Sequence, residues 1–196
     1  MLSVIRPAVV SVVLFTGVLG IAYPLAITGV AQAAFPSQAN GSLITDAKGK
    51  VVGSAFVGQN FAKPQYLHPR PSAAGSSGYD ASASSGSNYG PLNADLAKRV
   101  AESAAALRAE GAKAIPADAV TTSGSGLDPD ISPAFAELQV QRIADARGVT
   151  PAQVREAIAG ATSDRTFGIL GQARVNVLKA NLALDARWPV RQLPAS

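Results

Sequence analysis

The sequence predicts a single membrane-spanning helix followed by one extracytoplasmic α+β domain. Three observations predict this class: no charge occurs from Pro7 through Thr45, a short strand–turn–strand pattern follows, and the second half carries capped amphipathic helices. The chain has 196 residues. That length suffices for an anchor and one domain with a hydrophobic core, but not for two large domains.

The predicted membrane span covers residues 7–30, PAVVSVVLFTGVLGIAYPLAITGV. As a helix this segment is about 36 Å long, enough to cross a hydrocarbon layer of about 30 Å with some tilt. Pro24 is expected to kink its last third. Gly17, Gly20 and Gly29 are expected to let a neighbouring helix pack closely.

A cleaved signal peptide is the alternative interpretation of the same segment. Arg6 supplies a basic start, and Ala31-Gln32-Ala33 has the small-residue pattern of a cleavage site. The apolar stretch is much longer than the 7–15 residues typical of a signal peptide, so its length favours a retained anchor.

The position of the charges predicts the orientation. Arg6 and the amino terminus lie directly before the span, whereas the first charge after it is Asp46. The basic flank is expected in the cytoplasm, although Lys48 and Lys50 weaken the asymmetry. We therefore expect residues 1–6 to be cytoplasmic, residues 31–190 to form the extracytoplasmic domain and residues 191–196 to be a tail.

Local signals predict the elements of that domain. Two short strands are expected around a turn at 46–49, followed by an ordered Gly/Ser/Pro-rich loop over 58–91. Helices are expected at 93–110, capped by Asn93 with Leu96, Val100, Ala104 and Leu107 on one apolar face, at 133–147, and from a Thr150 capping box to Gly160. Residues 175–185 fit a helix or a buried strand, and their Ala, Leu, Lys and Asn content favours a helix.

Several kinds of chemistry lack their sequence signatures. The chain has no cysteine, which excludes disulfides and thiol sites. It has no phosphate-binding G-x-x-x-x-G-K motif, no D-K-T-G and no G-x-S-x-G elbow. Its basic residues are scattered, so we expect no nucleic-acid partner. His68 is the only histidine, and its loop-like setting predicts a structural or interface role.

The run from Thr121 to Pro133, TTSGSGLDPDISP, leaves three interpretations open. Its glycines and the helix that follows could form an anion nest, but Asp128 and Asp130 would repel phosphate. The spacing of these acids and Ser132 begins like a calcium loop, yet the later positions of that motif are wrong. A turn followed by a helix cap is the plainest reading. We expect no metal site and no catalytic residue.

The segments HPRPSAAG at 68–75 and ASSGSNYGP at 83–91 predict a preorganised surface for a protein partner. Prolines stiffen this backbone, and Arg70 carries a planar fork suited to a carboxylate or to carbonyl groups. Ordinary surface-loop composition is the alternative. The candidate contact residues are Tyr66, His68, Arg70, Pro71, Ser72, Asn88, Tyr89 and Asp128.

Motifs along the whole chain resemble the KdpC family, the C subunits of bacterial potassium-transporting P-type ATPases. They are YPL at 23, QANGSLI at 38, GSAFVGQNF at 53, HPRPSAAG at 68, SGSNYGP at 85, IPADAVTTSGSGLDPDISP at 115 and VNVLKANLALD at 175. Two places depart from the family pattern: Tyr66-Leu67-His68 stands where Tyr-Phe-His is usual, and Arg165-Thr166-Phe167 lies in a variable stretch. The chain after Asp185 looks dispensable.

The resemblance implies an accessory, non-catalytic subunit in the bacterial inner membrane, beside a potassium-pore subunit and an ATP-hydrolysing subunit. It also implies a catalytic chaperone that raises the ATP affinity of the hydrolysing subunit, with ATP involved transiently and no cofactor bound tightly. The predicted topology conflicts with direct ATP contact, because ATP is cytoplasmic. The alternative function is a stand-alone anchored or secreted extracytoplasmic binding domain.

Overall fold

The computed structural model describes residues 2–46 and 48–189. The chain divides into two compact units, the first ending at Val52 and the second beginning at Gly53. The first unit contains the helices α1 (Leu2–Phe15), α2 (Tyr23–Ala34) and α3 (Pro36–Ala39). The strands β1 (Leu43–Thr45) and β2 (Val51–Ser54) form a two-stranded sheet at the boundary.

The apolar amino-terminal segment is helical beyond the predicted 7–30. A helix from Ser3 to Ala34, 32 residues, is long and apolar enough to cross a membrane. Its 32 residues correspond to about 48 Å of rise, more than the hydrocarbon layer alone requires. Side chains of residues 3–30 are all exposed in the isolated chain. They therefore have no packing partner within this unit.

The helix changes its hydrogen-bonding pattern in the two turns before Pro24, where a kink was expected. Residues Thr16–Ala22 form a π-helix, and the Tyr23 N–H bonds to the carbonyl of Val18, five residues back. Pro24 has no N–H and its ring crowds the carbonyl four residues earlier, so a widened turn relieves the conflict. A Cβ atom at Gly17 or Gly29 would meet nothing within 4 Å.

The hairpin between β1 and β2 forms at the predicted turn. The Asp46 carboxylate accepts hydrogen bonds from the N–H groups of Lys48 (2.8 Å) and Lys50 (2.9 Å). Gly49 has φ +78° and its N–H bonds to the Asp46 carbonyl at 3.0 Å. An Asp side chain bonded to the backbone ahead of it, followed by a left-handed glycine, is the chemistry that this turn requires.

The second unit is a small antiparallel sheet covered by helices. The sheet has the order β3–β5–β4, from β3 (Asp130–Ile131), β4 (Thr162–Ser163) and β5 (Arg174–Asn176). The helices are α4 (Ala94–Ala109), α5 (Pro133–Leu138), α6 (Val140–Arg147), α7 (Pro151–Gly160) and α8 (Val177–Arg187). In register, Ile131 and Thr162 both face Val175.

One hydrophobic core holds this unit together. Its buried members come from the loop at Leu67, from the sheet and from α5 to α8: Ile131, Phe135, Val140, Ile143, Val154, Ile158, Val175 and Leu184. The predicted α+β class is confirmed. The Thr150 capping box is confirmed as well, since Thr150 and Gln153 bond to each other's backbone in both directions.

The helix expected over 133–147 is instead two helices that meet at Gln139. Phe135 and Ile143 are buried in the core on either side of the interruption. The interruption falls at a residue whose amide side chain is buried and bonded to another segment. The periodicity of the sequence continues through this position, which is why it predicted one helix.

Helix α4 differs from the prediction in its packing. Asn93 caps it, accepting bonds from the N–H groups of Asp95 and Leu96. The predicted apolar face is only half-buried, and no residue of the helix is buried. Leu107 is the part of this face that packs against the core. The helix therefore lies on the edge of the unit.

The carboxyl-terminal region corrects two further expectations. Residues 174–176 are strand and only 177–187 are helix, so the segment predicted as one helix contains both. The chain just beyond Asp185 is engaged rather than dispensable, because the Trp188 carbonyl accepts a bond from Arg147 and its ring packs against the core. Position 190 and the predicted tail 191–196 lie outside the described residues.

Candidate partner-contact site

The loop over residues 58–91, which contains most of the candidate residues, is ordered without regular secondary structure. Two buried amide side chains hold its backbone at neighbouring positions. Asn181 Oδ1 accepts from the Leu67 N–H at 2.7 Å, and Asn181 Nδ2 donates to the Leu67 carbonyl at 3.0 Å. Because a side-chain amide carries an acceptor oxygen and a donor NH₂ group, it satisfies both polar groups of that residue.

Gln139 does the same for His68. Its Oε1 accepts from the His68 N–H at 2.7 Å, and its Nε2 donates to the His68 carbonyl at 3.1 Å. Gln139 is 3% exposed and Asn181 is 1% exposed. A buried backbone group without a partner is costly, so these amides supply what a neighbouring strand would otherwise provide.

The His68 ring is half-buried beside a cation. Nε2 lies 3.0 Å from the Lys63 carbonyl and 3.2 Å from Nη1 of Arg142. Burial, and after it the positive charge of Arg142, lowers the pKa of His68 below its ordinary value. The two neighbours of Nε2 are therefore a carbonyl oxygen and a guanidinium, whereas the corresponding nitrogen of a Ser-His-Asp triad faces a hydroxyl.

Arg70, the candidate for binding a partner's carboxylate, has a carboxylate within its own chain. Its Nη1 lies 2.9 Å from Oδ2 of Asp128. Tyr79 donates from its hydroxyl to the Arg70 carbonyl at 2.6 Å. Burial, followed by the nearby Asp128 charge, raises the pKa of Tyr79, so this hydroxyl stays protonated and keeps donating.

Ser72 ties the same stretch to the glycine-rich run. Its Oγ donates to the Gly126 carbonyl at 2.6 Å and accepts from the Tyr79 N–H at 2.9 Å. The Ser123 N–H bonds to the carbonyl of Pro71 at 3.3 Å. Arg70, Pro71, Ser72 and Asp128 therefore meet in one place, where the loop packs against residues 121–128.

The space beside the glycine-rich run, residues 121–133, is occupied by other segments of the protein. Gly126 has φ +68°, and an added Cβ there would lie 2.6 Å from the Ser85 carbonyl oxygen and 2.8 Å from the Ala74 nitrogen. Asp118 accepts from both the N–H and the Oγ of Ser132, which also caps α5. This geometry matches the third interpretation of the run, a turn followed by a helix cap.

Tyr66 belongs to a different cluster. Its hydroxyl donates to Asp185 at 3.0 Å, and the Arg147 guanidinium stacks over its ring at 5.2 Å. The Arg147 side chain is fully buried and also reaches Asp185 at 2.8 Å and the Gln65 carbonyl at 2.7 Å. This cluster joins the loop to α6 and α8.

Asn88 and Tyr89 lie near α4, apart from both groups. Asn88 adopts a left-handed conformation with φ +52°, which Asn tolerates better than most residues. Tyr89 is exposed and its ring is stacked under the guanidinium of Arg99 at 5.3 Å. The eight candidates thus fall into separate places, and their contact with another subunit stays a prediction.

Two clefts open beside Arg70. One of about 420 Å³ lies between the loop and α4, lined by His68, Arg70, Tyr79 and Leu107. The other, of about 670 Å³, is lined by charges of both signs, namely Arg70, Asp118, Asp128, Asp130 and Arg174. Asp130 pairs with Arg174 at 3.0 Å. Over residues 2–46 and 48–189, no cluster of three or more His, Cys, Asp or Glu is arranged for a metal ion.

The residues that build this site were missed by sequence reasoning. Gln139, Asn181 and Arg147 each hold loop backbone or a loop ring from a core helix. A usable signal was present: each is a polar residue at a position where the helical period places an inward-facing side chain. Such positions predict a buried hydrogen-bonding role.

Comparison with known proteins decides the family. The family model described as "K+-transporting ATPase, c chain" matches residues 5–186. The chain belongs to the KdpC family. Relatives of this family include the potassium-transporting ATPase KdpC subunit of Caulobacter sp. strain K31, 66% identical over 190 residues, which cover 96% of each chain.

More distant KdpC relatives cover the chain as fully. The potassium-transporting ATPase KdpC subunit of Beijerinckia indica is 57% identical over 197 residues, covering 99% of each chain. That of Gemmatimonas aurantiaca is 54% identical over 188 residues, covering 95% of this chain and 94% of the relative. The resemblance drawn from the sequence motifs is confirmed, and membership of the KdpC family implies partner subunits.

Proposed function

We propose that this chain is a single-span accessory subunit of an ATP-driven potassium uptake complex in the bacterial inner membrane. The observation that carries the proposal is the full-length match to KdpC subunits together with one apolar helix long enough to cross a membrane. Its partners are the potassium-pore subunit and the ATP-hydrolysing subunit, with lipid around the helix and no nucleic acid.

In this proposal residues 1–6 are cytoplasmic and the second unit is extracytoplasmic. The basic charge of Arg6 before the helix supports that orientation. The surface around Arg70, Ser72 and Asp128 then faces extracytoplasmic loops of the pore subunit. Because Arg70 and Asp128 already neutralise each other, this surface is preformed and loses little conformational freedom on docking.

The subunit assists assembly and activity without chemistry of its own. The chaperone role implied by the family, a rise in the ATP affinity of the hydrolysing subunit, fits this topology if it is transmitted through the complex. ATP itself is cytoplasmic and does not meet the second unit in this arrangement. No cofactor is bound tightly.

Co-purification from the native membrane, with mass identification of every accompanying chain, tests the function. We expect a large polytopic subunit and a subunit carrying D-K-T-G to accompany the tagged chain. Purified alone, the chain should show no ATPase activity. Recovery of the chain without either subunit, or turnover of ATP by the chain alone, would overturn the proposal in favour of a stand-alone domain.

Cysteine labelling tests the topology, because the natural chain has no cysteine. We expect Leu92→Cys, at an almost fully exposed position, to react with an impermeant maleimide in intact spheroplasts. Ser3→Cys should react only after lysis. An amino terminus found at residue 34 in the mature protein would instead establish a cleaved signal peptide.

A further inference from the structure

The loop between β4 and β5 presents three large apolar side chains to solvent. Phe167 is 88% exposed, Ile169 is 75% exposed and Leu170 is 57% exposed. Every residue from 163 to 172 is exposed, so the described part of the second unit leaves these three side chains largely uncovered. Together the three side chains offer on the order of 400 Å² of apolar surface, a patch of the size that marks an interaction site.

The apolar loop, defined here as residues 164–171, has a fixed backbone despite its exposure. The N–H of Thr166 donates to the Leu170 carbonyl and the N–H of Leu170 donates to the Thr166 carbonyl, both at 2.9 Å. The N–H of Gly168 also bonds to the Arg165 carbonyl at 3.0 Å. This closed turn displays Phe167 at its tip.

Phe167 occupies a conformation that aromatic residues avoid. Its φ is +54°, in the left-handed region where a bulky side chain costs free energy. Glycine or asparagine would fit this position better. Since the Phe167 ring gains no burial within the second unit to offset that cost, a contact outside the unit is the physical reason to have a phenylalanine here.

We propose that the apolar loop inserts Phe167, Ile169 and Leu170 into an apolar pocket on the extracytoplasmic face of a partner subunit in the same complex. This inference rests on the proposed function. The expected binding site on the partner is an apolar pocket that excludes water and has polar residues at its edge. The apolar loop is the protruding segment that fills it.

The charges of the loop favour a protein over the bilayer. Asp164 and Arg165 both precede the apolar tip, are exposed and sum to zero charge. Segments that bind membranes add basic residues to reach anionic lipid, and an acidic residue at headgroup depth opposes binding. Charges of both signs beside an apolar centre are instead typical of the polar edge of a protein interface.

The rigid shape of the loop supports the same conclusion. A fluid bilayer accepts an apolar side chain in any backbone conformation, so it gives no reason to hold Phe167 at positive φ. A shaped pocket does, because preorganisation reduces the ordering cost on binding.

The size of the patch indicates a subunit that is already nearby. A stable interface between independent proteins needs about 800 Å² from each partner, roughly twice what the loop provides. A chain held beside its partner by a membrane helix meets that partner at high effective concentration, so a smaller contact suffices. This argument selects a subunit of the membrane complex over a soluble partner.

Phe167→Asn separates docking from folding. Asparagine tolerates φ +54°, so the variant chain should unfold at the same temperature as the natural chain or at a higher one. The variant chain should nevertheless dissociate from the complex roughly tenfold faster than the natural chain. The rate is measured as replacement of the bound chain by an excess of tagged natural chain. Phe56→Asn is the matched control, because Phe56 is an exposed phenylalanine elsewhere in the second unit, and its exchange rate should not change.

A photoreactive phenylalanine analogue at position 167 identifies the occupant in membranes containing the whole complex. Cross-linking to a partner subunit, together with faster exchange of Phe167→Asn, supports the inference. Cross-linking to lipid alone overturns it, and so does unchanged exchange in an intact complex. If the natural chain brings down no subunit at all, the proposed function itself has failed, and this inference fails with it.

Discussion

Gln139 and His68 are joined by two hydrogen bonds of opposite direction across 71 residues of sequence. The side-chain amide of Gln139 binds the N–H and the carbonyl of His68, as a neighbouring backbone would. Helix α5 ends at Leu138 and α6 begins at Val140, so Gln139 lies at the interruption, with its amide against the loop.

Replacing Gln139 by alanine should lower the free energy of unfolding by about 2–4 kcal/mol, because two backbone groups of His68 lose their partner. The single tryptophan, Trp188, packs against the core, so its fluorescence reports urea unfolding of the full chain in detergent. Gln141→Ala is the control: Gln141 is exposed and its side-chain amide bonds to Asp145 on the same helix, so its loss should cost under about 0.5 kcal/mol. Equal effects of the two substitutions would contradict the role given to Gln139.

Arg147→Lys should destabilise the second unit by about 2 kcal/mol. The fully buried guanidinium donates to the carbonyls of Gln65 and Trp188 and to Asp185, and an ammonium group cannot reproduce that planar fork. Arg155→Lys alters an ion pair with Glu137 in which both side chains are 54% exposed, so it should leave stability almost unchanged. Thermal unfolding followed by circular dichroism compares the two, and a tolerated Arg147→Lys would disprove the buried-fork argument.

Gly126→Ala and Gly124→Ala should differ sharply although they lie two residues apart. At Gly126 the new methyl group meets backbone atoms of residues 74 and 85 and the φ is positive, so we expect a loss of about 3 kcal/mol. At Gly124 an added Cβ meets nothing within 4 Å, so stability should hold or rise slightly. Urea titration of both variants measures this, and a neutral Gly126→Ala would show that the loop is not packed as described.

The stability of the second unit should fall as pH drops below about 6.5, the ordinary pKa of histidine. The folded-state pKa of His68 is lowered by burial and by Arg142, so the unfolded chain binds the proton more readily. The contribution of neutral His68 is therefore complete above about pH 6.5 and is lost as pH falls through the lowered value. As the only histidine, His68 gives a single imidazole signal whose NMR titration locates that value, and His68→Gln should remove this part of the pH dependence.

Elements governed by neighbouring residues were predictable from the sequence. The Asp46 turn, the Asn93 cap and the Thr150–Gln153 capping box all form where they were predicted. Each depends on side chains that reach backbone groups within four residues, so local sequence specifies them.

Features that depend on distant residues were not predictable in this way. The interruption between α5 and α6 at Gln139 depends on contact with His68. The half-burial of the apolar face of α4 depends on how this helix packs against the core. The candidate loop was correctly predicted to be ordered, but its anchors, Asn181 and Arg147, lie more than 80 residues away in sequence. Helical periodicity records that these positions face inward, and it carries no information about which segment they meet.

Helix α8 carries Leu184 into the core, Asn181 to Leu67 and Asp185 to Arg147. Because α8 is the last described helix of the chain, this arrangement determines when the second unit can fold during synthesis. The apolar amino-terminal helix leaves the ribosome first. The second unit cannot complete its packing until residues as late as Asp185 have been synthesised. The second unit therefore completes its folding only after the amino-terminal helix has been synthesised, and the loop at residues 65–67 gains its anchors only when helix α8 is present.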